Sequence, residues 1–294
     1  MKKWILLIAL LAAALSQAQA QGGRGFWHQE WTVEKGDSIP LVHVLPVYVF
    51  SRPVDLRRYR RLVDAVKKAQ ADGARGLGFI DVETTELAKR MDWEIAYPAN
   101  EQLKFFMVAD RLMFRHGEFP EYEEYYAQLD AHLAVDLAEV EKAADAFGLA
   151  FAQKHHDDKL HYFVGAGNQY GSTYSYAMCY WEEQHWIRTK SIHSSEFFHG
   201  MLEIVDRDTP VTVFVGEDSQ RPLSERVVRF LPRVCANYTV IDSRDYALPG
   251  IDERFRGNLS HLVTHAVTQR IDAHIEAINC HPMEIRRYYR RLDY

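Results

Sequence analysis

At 294 residues the chain has room for one large domain or two modest ones. A hydrophobic share of 47% beside 26% charged residues fits a folded globular protein with enough apolar material for a core. The formal net charge of −6 gives no electrostatic footprint for nucleic acid, but it leaves open a phosphorylated ligand held by local basic groups and backbone amides.

The first twenty residues have the form of a secretory leader. Met1 to Lys3 is basic, 4–15 is an apolar run too short for a comfortable membrane span, and Ala18-Gln19-Ala20 has the small-x-small pattern of a cleavage site. No later stretch is apolar enough to span a bilayer. Residues 21–38 are Gly-rich and polar, 39–50 read as one or two short strands broken by Pro46, and 56–69 carry apolar residues at helical spacing with a basic outer face. Short strands are expected at 76–80 and 93–97 and a helix at 102–115, ended by Gly117 and Pro120. A long amphipathic helix follows from Tyr122 through Val140. His155-His156-Asp157-Asp158 is a polar break, read as a solvated loop although its side chains are of metal-ligand type.

After this break the chain alternates. Strands are expected at 160–164, 211–215 and 238–241, and helices at 172–187, 223–231 and 258–278. Such alternation with short connections predicts an α/β fold, a parallel sheet covered by helices on both faces. The cysteines, Cys179, Cys235 and Cys280, are odd in number and sparse, so they make no disulfide framework or metal knuckle and read as small buried or half-buried residues. His261 and His265 stand at i and i+4 without the Glu of a zinc-protease motif.

Three segments could carry chemistry. In Val164-Gly165-Ala166-Gly167-Asn168-Gln169-Tyr170-Gly171-Ser172-Thr173 a strand ends in glycines before a helix. That geometry aims backbone N–H groups and a helix N-terminus at an anion, and it serves equally as a tight turn for close helix–sheet packing. Glu183 is the second. On an α-helical wheel, Tyr176, Cys179, Tyr180, Trp186 and Ile187 all fall within about 60° of it. A carboxylate on such a face should have a raised pKa, suited to proton exchange, unless it has a partner; an ion pair with an Arg is the plainer alternative. The third is Ser194-Ser195-Glu196-Phe197-Phe198-His199-Gly200, where His199 suits acid–base work near neutrality or, more plainly, closes a short helix.

The segment VGAGNQYGSTYSYAMCYWEEQHWIRTKSIHSSEFFHGMLEIVDRDTPVTVFVGED resembles the second domain of SIS-fold sugar-phosphate enzymes, a flavodoxin-like sandwich. It looks most like deglycases that split fructosamine 6-phosphates such as fructoselysine 6-phosphate. The resemblance continues through RGNLSHLVTHAVTQRIDAHIEAINCHPMEIRRYYRRLDY and, more weakly, back to about Gly73. Its best motif is a Glu and a His 16 positions apart, which makes Glu183 and His199 the implied catalytic pair. The Gly165, Gly167, Ser172 and Thr173 loop is then the implied substrate-binding element. The resemblance implies a ketosamine 6-phosphate substrate and no metal, nucleotide or redox cofactor. It also implies a homodimer in which the His often comes from the neighbouring subunit.

The resulting domain plan is a leader at 1–20, a segment at 21–70, the last portion of a first SIS domain with a helical linker at 73–154, and a second SIS domain at 159–294. The 21–70 segment, with IPLVHVLPVYVF and RRYRRLVDAVKK, resembles small exported bacterial proteins of unknown function. The Ser/Thr-rich phosphate loop of a first SIS domain is not found, so greatly reduced or no deglycase activity is expected from this chain alone. Two other readings fit the same residues: a sugar-phosphate-binding module without turnover, and an exported protein whose role lies in the first 70 residues. The leader argues for export and the phosphorylated substrate for the cytoplasm.

Overall fold

The computed structural model describes residues 56–74, 77–79, 86–91, 93–95, 101–289 and 291–292. The leader, the strands expected at 39–50 and most of the 21–70 segment lie outside the described residues. The described residues divide into two compact units, the first ending at Phe119 and the second beginning at Pro120. Among the described residues no helix is long and apolar enough to cross a membrane.

The first unit holds helix α1 (Leu56–Ala71), strands β1 (Leu77–Phe79) and β2 (Trp93–Ile95), and helix α2 (Glu101–Arg115). The two strands pair in parallel, with Gly78 opposite Glu94. A 3-10 turn, Ala88–Arg90, lies between them in sequence.

The second unit opens with α3 (Tyr122–Gln128), one π-wound stretch (Leu129–Leu133) and the long α4 (Ala134–His155). Strand β3 (His161–Gly165) follows, then α5 (Asn168–Ser175), a ten-residue π-helix (Tyr176–His185) and β4 (Thr189–His193). The chain continues through β5 (Val211–Val215), α6 (Arg221–Phe230), β6 (Tyr238–Asp242) and α7 (Ser260–Asn279). The four strands are all parallel, in the order β4-β3-β5-β6.

The central strands β3 and β5 are buried along their whole length, as a parallel sheet covered on both faces requires. One face of the sheet presents Tyr162, Val164, Val211, Val213 and Val215. These pack against Phe197, Met201 and Val205 from the β4–β5 connection and against Val227 and Leu231. The other face presents His161, Phe163 and Phe214, over which Phe151, Tyr176 and Trp181 lie as a connected set of aromatic rings. On α7, Leu262, Val263, Ala266, Ile271 and Ile275 are buried as the periodicity predicts, while Ile278 is exposed.

Strand β4 has no counterpart in the elements expected from sequence. Its residues, Thr-Lys-Ser-Ile-His, hold one strong apolar side chain, and none is fully buried. Among the described residues it is an edge strand paired only to β3, where polar composition is tolerated because its other side has no partner strand.

The expected helix at 172–187 is also different. It starts at Asn168, and from Tyr176 it is wound as a π-helix, with i→i+5 bonding in place of i→i+4. It ends at Trp186, whose φ of 62° is left-handed, a costly conformation for a residue with a Cβ. The Trp186 ring is held between His281, 4.1 Å away, and the guanidinium of Arg287, 4.0 Å away. Of the cysteines, Cys235 is buried and Cys179 half-buried, but Cys280 is exposed, because it caps α7 in the left-handed region.

Candidate functional site

The glycine turn after β3 is built for close approach. A Cβ on Gly165 would fall 2.1 Å from Thr173 Oγ1, and one on Gly167, at φ +57°, would fall 2.2 Å from Asp218 Oδ1. Glycine alone fits either place. Asp218 Oδ2 accepts from the Asn168 backbone N–H at 3.0 Å, and Asn168 Nδ2 donates to Gly257 O at 2.9 Å. A carboxylate of the chain itself therefore sits at the α5 N-terminus, where the helix dipole and free amides favour an anion. Thr173 is fully buried and its hydroxyl donates to Gln169 O at 2.7 Å. Ser172 is half-buried, and its carbonyl accepts from Tyr176 N–H. Packing of α5 onto the sheet accounts for the positions of Gly165, Gly167 and Thr173.

Glu183 lies near the end of the π-helix. Its Oε1 accepts from Arg286 Nε at 2.8 Å, with the carboxylate side chain 35% exposed and the Arg side chain 18%. Glu183 is thus not central on a buried face. The π winding turns Tyr176, Ala177, Trp181 and His185 inward instead, and Trp181, which an α-helical wheel puts on the far side, is the deepest of them. Arg286 is the partner that the plainer sequence reading anticipates. The neighbouring Glu182 accepts from Thr189 N at 3.2 Å and Thr189 Oγ1 at 2.9 Å, bracing the start of β4.

His199 is exposed and closes a one-turn 3-10 helix, Phe197–His199. Phe197 anchors that turn in the core, and Phe198 packs against Phe230 beneath the guanidinium of Arg226. The Glu183 helix covers the Phe163 face of the sheet, and the His199 turn covers the Val213 face. Among the described residues no hydrogen bond or ion pair joins Glu183 to His199. A shallow cleft of about 430 Å³ contains neither; Lys159, His185, Trp186 and Arg287 are among its lining residues.

The polar break at 155–158 is not a solvated loop throughout. His155 and His161 are buried, and each places Nδ1 2.8 Å from Asp158 Oδ2, while His161 Nε2 lies 2.8 Å from Thr212 Oγ1. Burial alone would raise the Asp158 carboxyl, but the two imidazole hydrogen bonds outweigh it and hold it at about 2. Burial pushes His161 down to about 4 against the opposing pull of Asp158. The three side chains are of metal-ligand type, and their 2.8 Å separations are hydrogen-bond distances. His261 is buried too, and burial beside His265 pushes its imidazole down to about 3.

The parallel four-stranded sheet with helices on both faces is the fold of the SIS sugar-phosphate isomerases. A Bacillus subtilis protein described as a phosphosugar isomerase superposes with a TM-score of 0.67 at 26% identity, covering 79% of this chain and 73% of that one. Among characterised sequences the chain is similar to the fructosamine deglycase FrlB of Bacillus subtilis, 32% identical over 173 residues, or 59% of this chain and 52% of that protein. It is also similar to the fructoselysine 6-phosphate deglycase of Escherichia coli O157:H7, 24% identical over 196 residues, or 64% of this chain and 56% of that protein. The chain thus spans about half the length of the curated relatives it matches. No family model matches the chain, in its first 70 residues or elsewhere.

Asp218, Arg286 and Asp272 are the polar partners that sequence reading did not single out. Asp218 stands 51 positions after Gly167, and Arg286 stands 103 after Glu183, so no local spacing links either pair. Asp272, on the inner face of α7, carried a sequence signal: an acid between the inward Ile271 and Ile275.

Proposed function

We propose that the chain is an SIS-type deglycase or aldose–ketose isomerase acting on a 6-phosphorylated sugar–amine conjugate, and that two copies share each site. The carrying observation is that Glu183 and His199 occupy opposite faces of one sheet, with His199 exposed. A sugar can meet a Glu183 and a His199 together if the His comes from a second copy.

In this reading the substrate is a 1-amino-1-deoxy-ketose 6-phosphate. His199 donates a proton to the ring oxygen as the ring opens. The Glu183 carboxylate removes a proton from C1, giving an enaminol, and C2 is then protonated to leave an imine between C1 and the amine. Water adds at C1 and the C–N bond breaks, giving glucose 6-phosphate and the free amine. Arg286 fixes the direction of the carboxylate, so substrate must bind beside this ion pair or displace it.

A binding module without turnover is the second reading. It is favoured by the Arg286 ion pair on Glu183, which commits the carboxylate that turnover would need as a base.

The test is glucose 6-phosphate release from fructoselysine 6-phosphate by the purified chain beside Glu183→Gln and His199→Ala. Release that both substitutions abolish supports the enzyme. No release from a folded chain that still binds the sugar phosphate supports the binding module.

A further inference from the structure

Asp272 lies within α7 and is buried to 2% exposure. One of its oxygens, Oδ1, lies 3.0 Å from Tyr176 Oη and 3.0 Å from His185 Nε2. These two residues are the first and the last of the π-helix, Tyr176–His185. The other oxygen, Oδ2, is buried with no protein hydrogen bond.

A buried carboxylate is expensive to keep, so its partners carry the explanation. Burial raises the Asp272 carboxyl, and the contacts from His185 and Tyr176 oppose that rise. The π winding is rare and needs tertiary support to persist over ten residues. A single oxygen bonded to both ends of the segment fixes its length and its rotation together. An α-helical rewinding would turn Tyr176 and His185 out of register with each other and break at least one of the two bonds. The anchor itself is firm: Ile271 and Ile275 beside Asp272 are fully buried, and Arg270 and His274 both bind Asp145 of α4.

Glu183 stands two positions before His185 inside the clamped segment. We propose that Asp272 is a positioning residue that ties Tyr176 to His185 and so holds the π winding that aims the Glu183 carboxylate. The aim at a substrate rests on the proposed function; the clamp on the winding does not.

The experiment combines hydrogen exchange with kinetics on the full chain, comparing wild type, Asp272→Asn and Tyr176→Phe. Tyr176→Phe removes one of the two bonds and keeps the test open should Asp272→Asn fail to fold. Amide exchange across 176–187 should quicken by about tenfold or more while β3 and β5 stay protected, and kcat on fructoselysine 6-phosphate should fall about tenfold with KM within about twofold. Exchange that rises evenly over the whole second unit, or loosening at 176–187 with kcat per folded molecule unchanged, would overturn the proposal. Full activity in Glu183→Gln, or no release by wild type, would sink the catalytic reading instead, and the exchange pattern would still decide the clamp.

Discussion

A buried hydroxyl with a committed partner behaves differently from one that faces a ligand, and Thr173 allows the two to be told apart. Its Oγ1 donates to Gln169 O inside a fully buried site. Thr173→Val keeps the shape and removes the bond, so stability should drop by about 1 kcal/mol with sugar-phosphate affinity unchanged. Urea unfolding and a binding titration check this; lost affinity at unchanged stability would make Thr173 a ligand. The His155–Asp158–His161 group makes a second prediction at this scale. His161 sits at about 4 in the fold against its usual 6.5, so between these values the unfolded chain binds more protons than the folded one. Its contribution is fully present above about pH 6.5 and is lost as the pH falls toward 4, amounting to roughly 3 kcal/mol. Asp158, held at about 2 against a usual 3.8, adds a further loss below that window. Unfolding curves at pH 7.5 and 4.5 should differ more for wild type than for His161→Gln, and equal pH dependence would show that His161 is not the titrating group.

Among the helices, α4 and α7 cross where Gly148 lets the backbones approach. A Cβ there would lie 2.9 Å from the Arg270 carbonyl carbon and 3.0 Å from Ile271 N, which are backbone atoms that cannot rotate away. Helix propensity favours Ala over Gly by about 1 kcal/mol, but overpacking against backbone costs about 1–3 kcal/mol. Gly148→Ala should therefore lower stability in chemical denaturation, and a gain would mean the two helices can separate at little cost. The strands and helices with strong apolar periodicity were legible in sequence: β5 as Val-Thr-Val-Phe-Val, and α7 with its inward Leu262, Val263, Ala266, Ile271 and Ile275. Strand β4 was not, because an edge strand needs only backbone pairing and Thr-Lys-Ser-Ile-His shows little alternation. Nor was the π winding, since periodicity in sequence cannot tell i→i+5 from i→i+4 over only ten residues.

For the molecule as a whole, Glu183 and His199 lie on opposite faces of the sheet, so the proposed reaction ties activity to oligomeric state. If sites are shared, Glu183→Gln and His199→Ala should each be inactive alone. Mixing them under subunit exchange should restore activity to about a quarter of wild type, since half of the dimers are mixed and each carries one intact site. No recovery in a mixture shown to exchange subunits would place both groups in one chain's site.

The sequence by itself determined most of the alternation of strands and helices and the parallel sheet. These are read from local periodicity, which the chain carries before it folds. Only the tertiary structure decided the partners. Arg286 on Glu183, Asp218 over Gly167 and Asp272 on both ends of the π-helix come from segments far apart along the chain. The physical reason is that a charge or hydrogen bond is satisfied by proximity in space, and no spacing along the chain fixes which distant group will arrive.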